Sequence, residues 1–327
     1  MPSLSTFKDK MTKSDSFSEV QMILRATSRS FYLSLVCFPP QIKKQISTAY
    51  LFCKIADTLV DLDHFTQIDK ERLLIDYINV FRNPQSLKYF IDDMDKSRLK
   101  GDSRALYSAL PSALELFSQF SKTDQLLILD VLSSVTQGME KDLKRVSITS
   151  ELELDQYCYD VAGSAGAFLT NLFFNYGFIK KDRERMISLG IQLGKGLQLT
   201  NIIRDQTEDR MRNRFYLPSG YEFSSDDQIY PKTLTLLEGG LEYIISLPRT
   251  AWKIRLASFW PLLFALKTVS RMVKIHPLES SQKIKISRSE IYFTMAVSIL
   301  IVFSNVGIRL YFESIRNRIH SPLEVKH

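Results

Sequence analysis

Two aspartate pairs, Asp57/Asp61 and Asp205/Asp209, stand four residues apart within otherwise apolar stretches. A helix advances about 100° per residue, so positions i and i+4 share a face and each pair aims two carboxylates one way. Two such helices facing each other would ring a pocket with acid. Hard divalent cations favour oxygen donors, and Mg²⁺ in particular is held by few carboxylates together with substrate phosphates. A lone DxxxD spacing arises by chance about once in a chain of ordinary composition and this length, so the neighbours decide. Tyr50, Lys54, Asp57 and Asp61 fall within an arc of about 60°, and Gln198, Asn201, Asp205 and Asp209 within about 80°. Burying so many polar groups is costly unless each finds a partner. The competing reading of either stripe is a solvated face with ion pairs to Lys54 and Arg204.

Two further segments stand out. Ser28-Arg29-Ser30-Phe31 is a polar patch in an apolar helical stretch. An arginine forks onto phosphate oxygens and serines add donors, although such a patch alone also reads as helix surface. Tyr157-Cys158-Tyr159-Asp160-Val161-Ala162-Gly163-Ser164-Ala165-Gly166 places glycines inside a helix, which lowers its stability. Close helix packing and room for a substrate chain both account for it, and the two are compatible.

The elements that position these residues are helical. Apolar periodicity predicts helices near 17–37, 41–62, 69–81, 86–96, 103–119, 123–145, 151–176, 182–213, 232–247, 250–273 and 287–318. Pro39-Pro40, Asn83-Pro84, Pro218-Ser219-Gly220 and His276-Pro277 punctuate them. No stretch alternates long enough to propose a sheet. The expectation is an all-α, bundle-like single domain with a central cavity over residues 17–318, flanked by tails at 1–16 and 319–327. The second acidic pair begins 148 residues after the first (57 to 205), which suits two walls of one cavity better than a local metal loop.

The 327 residues, 45% hydrophobic and 24% charged, can bury a sizeable core. The net charge of +7 fits phosphorylated substrates, an anionic membrane surface or nucleic acid, and selects none. No Lys/Arg run is long enough to read as a nucleic-acid arm, so no nucleic-acid partner is expected. Cys37, Cys53 and Cys158 form no framework, and the polar N-terminus has no signal-peptide core. A reducing, cytoplasmic setting is the simplest reading. His64, His276, His320 and His327 are scattered and receive no metal role. Residues 293–312 are apolar enough to span a bilayer by length but carry Asn305 and Arg309. A terminal core helix is the first reading, and shallow peripheral membrane association the other.

Taken in order, Ser28–Phe31, Asp57–Asp61, Thr136-Gln137-Gly138-Met139, Tyr157–Gly166, Gln198–Asp209 and Arg214-Phe215-Tyr216-Leu217-Pro218 resemble the squalene/phytoene synthase family. The resemblance runs over roughly residues 20–315. It implies an all-α class I isoprenoid-synthase fold that joins two allylic prenyl diphosphates head to head. By that resemblance Asp57, Asp61, Asn201, Asp205 and Asp209 would hold Mg²⁺ against diphosphate, and Gln198 would complete their wall. Ser28, Arg29, Ser30, Phe31, Lys54 and Arg204 would bind substrate, and Tyr50 and Tyr157 would sit near the reacting carbons. The family often has arginine where Lys54 stands; lysine keeps the charge and loses the bidentate fork.

Thr27–Phe31 and Asn201–Asp205 look closer to squalene synthases than to phytoene synthases. Lys283, Lys285 and Arg288 resemble a basic segment that squalene synthases use for NADPH phosphate, although a surface basic strand or helix cap accounts for them equally. The expected activity is squalene formation from two farnesyl diphosphates through presqualene diphosphate with NADPH. Stopping at presqualene diphosphate, or making dehydrosqualene or phytoene without NADPH, is the alternative. A terpene cyclase and a non-catalytic membrane-associated scaffold are more distant readings; the Tyr157–Gly166 segment opposes the first and the intact acidic pairs the second. A monomer is expected, with no membrane anchor after residue 318.

Overall fold

The computed structural model describes residues 15–62, 65–96, 99, 101–144, 147–218, 226–275 and 284–324, without the side chains of 29, 30, 96, 226, 227 and 320–324. Among the described residues the chain is helical, with no strand and one isolated bridge between Ser147 and Phe215. Contacts gather it into two compact units, Met1–Tyr32 with Lys43–Leu126, and Leu33–Ile42 with Leu127–His327.

The first unit holds α1 (Ser16–Thr27), the start of α2 (Arg29–Cys37), most of α3 (Pro40–Val60), α4 (Gln67–Arg82), α5 (Ser86–Lys96), α6 (Gly101–Ser108), α7 (Leu110–Ser118) and the first turn of α8 (Lys122–Lys144). Its core is aromatic. Phe52 meets Phe81 edge to face at 4.8 Å, and the buried Tyr77 hydroxyl donates to the Phe52 carbonyl at 2.9 Å. A reciprocal capping box between Thr66 and Asp69 starts α4.

Two helices expected to be continuous are broken here. The stretch 17–37 parts at Ser28, whose non-helical backbone (φ −129°, ψ 56°) caps α1 and lets α2 begin anew. The stretch 103–119 parts at Ala109, and Pro111 then occupies the first turn of α7, where a missing N–H costs nothing.

The second unit continues α8 and adds α9 (Glu151–Cys158), a π-helical turn (Tyr159–Gly163), α10 (Ser164–Asn175), α11 (Arg183–Met211), α12 (Asp226–Ser246), α13 (Trp252–Met272), α14 (Arg288–Ile301) and α15 (Asn305–Glu324). The long α11 packs on α10, α12 and α13. It approaches α10 at backbone contact: a Cβ on Gly166 would lie 2.0 Å from the Gly190 carbonyl oxygen. The glycines of 157–166 therefore serve close helix packing.

Residues 287–318 are two helices, not one. Ser304 interrupts them, its Oγ accepting from the Gly307 amide at 3.0 Å and so capping α15. No described helix is long and apolar enough to cross a membrane. The first reading of 293–312, a core helix, fails for α14, whose buried residues are Thr294 and Ser298. It holds better for α15, which buries Ile308, Phe312, Ile315 and Ile319.

Candidate active-site residues

In the first unit, α3 carries Tyr50, Lys54 and Asp57 along one stripe, and Asp61 follows in the turn past its end. The Asp61 amide still donates to the Asp57 carbonyl at 3.3 Å, so the helical relation of the pair survives. Lys54 Nζ lies 2.7 Å from Asp57 Oδ2. Burial works to lower the Lys54 ammonium, but Asp57, by charge and hydrogen bond, outweighs it and the net shift is upward. The Phe31 ring stacks on Tyr50 with centroids 4.3 Å apart, and burial pushes the Tyr50 phenol up. Ser28 Oγ is buried without a hydrogen-bond partner of normal geometry. Because the chain breaks at Ser28, the first amides of α2 have no intrahelical acceptor and form the positive end of its dipole. The polar patch thus sits at a helix break rather than within a helix. The side chains of Arg29 and Ser30 lie outside the described residues.

In the second unit, α11 carries Gln198, Asn201, Arg204, Asp205 and Asp209, all half-buried. Arg204 grips Asp205 with both ends of its fork, Nε to Oδ1 at 2.8 Å and Nη2 to Oδ2 at 2.5 Å. Burial, then the charge of Asp205, pushes the Asp209 carboxyl up to about 6; Asp142 adds to this and Arg214 and Arg212 oppose it. Both ion pairs of the competing sequence reading, to Lys54 and to Arg204, therefore form.

The end of α11 builds the rest. Asn213 takes a left-handed conformation (φ 57°), and the Arg214 amide turns back to the Asp209 carbonyl at 2.9 Å. The Ile148 amide then holds the Phe215 carbonyl at 2.8 Å. This tether lays Tyr216 on the buried Tyr157, centroids 5.0 Å apart, and points its hydroxyl at Asp142, 2.7 Å away. Burial raises both phenols far above their ordinary value. Tyr157 also borders a cavity of about 410 Å³ with Lys141, Lys144, Glu153, Gln156 and Asp160. Asp160 sits on the π-helical turn, a distortion frequent at functional sites, and is held by Lys141 at 3.0 Å and Gln156 at 2.7 Å.

Asp142, Lys141 and Lys144 are missing from the sequence reading, and Asp160 entered it only as part of the Tyr157–Gly166 segment, without a role. The first three look like an ordinary solvated face of α8. Tyr216 was within reach, inside the Arg214–Pro218 segment. Lys283 lies outside the described residues; Lys285 and Arg288 are exposed at and before the first turn of α14.

Among the described residues no three His, Cys, Asp or Glu side chains cluster closely enough to hold a metal unaided. The donors present still fit Mg²⁺, which takes few carboxylates and completes its shell with water and phosphate. The Asp205 charge that adds to burial in raising Asp209 is the kind of repulsion a divalent cation relieves.

A profile of the squalene/phytoene synthase family matches residues 24–220. The chain is 29% identical over 214 residues to human squalene synthase, covering 64% of this chain and 48% of that protein. It is 30% identical over 225 residues to a bifunctional lycopene cyclase/phytoene synthase of Arthroderma gypseum, covering 62% of this chain and 35% of that one. It thus spans about half or less of the length of these curated relatives. The structure of TcSQS with the ligand BPH1237 superposes with a TM-score of 0.73 at 20% identity, over 96% of this chain and 100% of that one. The fold is the all-α isoprenoid-synthase fold, as expected. The chain belongs to the squalene/phytoene synthase family.

Proposed function

We propose that the protein is a Mg²⁺-dependent head-to-head prenyltransferase. It condenses two farnesyl diphosphates to presqualene diphosphate and reduces this to squalene with NADPH. The observation that carries the reading is the pair of acidic stripes, each with its carboxylates on one helix and a cation already beside them.

Asp57, Asp61, Asn201, Asp205 and Asp209 would hold Mg²⁺, which when bound neutralises charge on the departing diphosphate. Lys54 and Arg204, released from Asp57 and Asp205, turn to phosphate oxygens and stabilise the same charge. Ser28 Oγ, buried beside the Tyr50 hydroxyl at the start of α2, donates to that anion. The stacked Phe31 and Tyr50 rings present π faces to an allylic cation and exclude water from it. Tyr157, kept protonated by its burial, fixes its hydroxyl towards Tyr216 and leaves its ring as a further wall. Gln198 lies one turn before Asn201 and orients the diphosphate. Lys285 and Arg288, with Lys283, suit the phosphate of NADPH, which supplies hydride.

Similarity to a phytoene synthase supports a second outcome, release of dehydrosqualene or phytoene without reduction. Product analysis of the purified protein with Mg²⁺ and either farnesyl or geranylgeranyl diphosphate, each with and without NADPH, separates the two. Squalene only with NADPH supports the full reading. The same hydrocarbon in both tubes removes the reductive step. Asp57→Asn and Asp205→Asn are expected to abolish turnover with the helical content unchanged, and substantial activity in either sinks the metal assignment.

A further inference from the structure

α14 is built inside out. Facing the protein it presents the partly buried Met295, packed on Trp260 and Leu256, and Thr294 and Ser298, whose hydroxyls donate to the Glu290 and Met295 carbonyls, each at 2.7 Å. Ser298 Oγ also accepts from Trp260 Nε1 at 2.7 Å. At about 100° per residue, Tyr292, Phe293, Ala296, Ile299 and Leu300 occupy an arc of about 120° on the opposite side. They are solvent-exposed, Tyr292 by 63%, Phe293 by 64% and Leu300 by 81%. Phe303 continues the stripe through the turn into α15, and exposed Trp252 packs on it with centroids 6.1 Å apart. Exposed apolar residues scattered singly, such as Ile68 or Leu152, are ordinary; a continuous aromatic and aliphatic stripe marks an interface.

Charge identifies what covers it. Between residues 249 and 312 the sequence has ten Lys/Arg and two Glu, a net of +8 that exceeds the +7 of the whole chain. Of the ten, Arg255 is buried and Lys267 and Arg271 pair with Glu290, while Arg249, Lys253, Lys274, Lys285, Arg288 and Arg309 are exposed, Arg309 against Glu242. Of the two glutamates, Glu279 lies outside the described residues and Glu290 is turned inward onto Lys267 and Arg271. From 291 to 312 there is no carboxylate. Lys253 sits over the Trp252 ring, 5.5 Å from its centroid, and exposed Arg249 lies one turn earlier. A second copy docking here would set two strongly positive faces against each other, which is unfavourable. An anionic lipid surface is complementary to both features: apolar and aromatic side chains enter the headgroup boundary while lysine and arginine stay at anionic headgroups.

We propose that α14 and the turn into α15 seat on the surface of an anionic bilayer, with α14 lying in the interfacial plane. The inference is independent of which product the enzyme makes. The test is cosedimentation of the full chain with phosphatidylcholine vesicles, with and without phosphatidylserine. Binding is expected to be stronger by roughly tenfold or more on the anionic vesicles and to fall with added salt. Trp252 emission should shift to the blue, because Trp260, the other tryptophan, is already buried (6% exposed). Leu300→Glu with Phe303→Glu should remove binding while thermal unfolding stays unchanged, since both side chains are exposed. Lys253→Glu should weaken the anionic preference alone. Three results would overturn the proposal: equal partition to both vesicle types or to neither, binding indifferent to the double variant, or a dimer by light scattering that the double variant splits.

Discussion

The rings of Tyr157 and Tyr216 stack at 5.0 Å with 17° between their planes, and Tyr216 passes its hydroxyl proton towards Asp142 at 2.7 Å. A side-chain hydrogen bond joins the two phenols, and Tyr157 is its donor. Three residues from α8, α9 and the segment after α11 thus form one oriented chain ending on a carboxylate. Removing the middle hydroxyl leaves Tyr157 without its acceptor while keeping the stack. Tyr216→Phe is expected to lower kcat by roughly 10²-fold, the scale of a positioned proton-bearing group, with KM for farnesyl diphosphate little changed. Steady-state kinetics with a thermal melt alongside checks this; wild-type kcat would reduce the chain to packing.

Asp209 makes the protein's response to acid specific. Its carboxyl titrates near 6 in the folded chain against 3.8 as its ordinary value, first because it is buried and then because Asp205 stands beside it. A carboxyl raised on folding stabilises the fold fully below the unfolded value, and loses that contribution as pH climbs through the folded one. The loss falls between about pH 4 and 6. At pH 8 an ionised Asp209 therefore strains the metal-free protein. Asp209→Asn should raise its stability there by on the order of 1 kcal/mol, after allowing for solvent screening of a half-buried group. The same variant should lose turnover. Urea unfolding at pH 4 and pH 8, without metal, reads the effect; a destabilised variant at pH 8 would refute it.

Wild-type turnover carries the complementary signature. Cation binding needs the ionised carboxylate. The Mg²⁺ concentration for half-maximal rate should rise by up to about tenfold per pH unit below the Asp209 value of about 6. A Mg²⁺ requirement flat from pH 5 to 7 would show that Asp209 is not a ligand.

Legibility in the sequence followed the range of the physics. The two carboxylate stripes, with Lys54 and Arg204 beside them, were readable because i, i+3 and i+4 neighbours are fixed by helical geometry alone. Lys54–Asp57 is such an i, i+3 pair, and Arg204–Asp205 is closer still, between adjacent residues. Asp142 and Lys141 were not, since they meet Tyr216 and Asp160 across 74 and 19 residues respectively. The left-handed turn at Asn213 and the Ile148–Phe215 tether bring the first pair together. The breaks at Ser28 and Ser304 also escaped periodicity, because apolar spacing continues across both while one serine ends the helix. α14 misled for a different reason: its apolar residues are correctly periodic, but the stripe faces out.

Backbone contact between α10 and α11 sets a stringent limit on volume. A methyl on Gly166 would stand 2.0 Å from the Gly190 oxygen and 2.6 Å from its carbonyl carbon. Backbone cannot rotate away as a side chain can, so both helices must part. Gly166→Ala is expected to cost about 3 kcal/mol, the upper range for overpacking. Gly177→Ala has open space around its Cβ but a positive φ of 73°, and should cost about 1 kcal/mol from strain alone. Paired denaturant titrations compare them, and equal losses would contradict the packing account.

Arg255 reverses the usual sign of a core substitution. It is fully buried in α13, where Nη2 donates to Asn305 Oδ1 at 2.6 Å, while Nε and Nη1 have no partner among the described residues. Burial, assisted by Arg249, lowers its guanidinium to about 10. A group depressed on folding opposes the fold at every pH below that value, so at neutral pH this cation is a net burden. Asn305 complicates the single substitution, because its amide donates to the Ile245 carbonyl at 3.2 Å and its oxygen would be orphaned. Arg255→Met alone should therefore be close to neutral, the relief of a desolvated charge offsetting an unpaired acceptor. Adding Asn305→Asp, which buries a carboxylate with no cation beside it, should be worse than Arg255→Met alone. Arg255→Met with Asn305→Leu should gain about 1–2 kcal/mol, as replacement of buried polar groups by apolar ones often does. Unfolding free energies of the three variants at pH 7 settle the order. A loss above about 3 kcal/mol in Arg255→Met would mean that the guanidinium is fully satisfied by bound water.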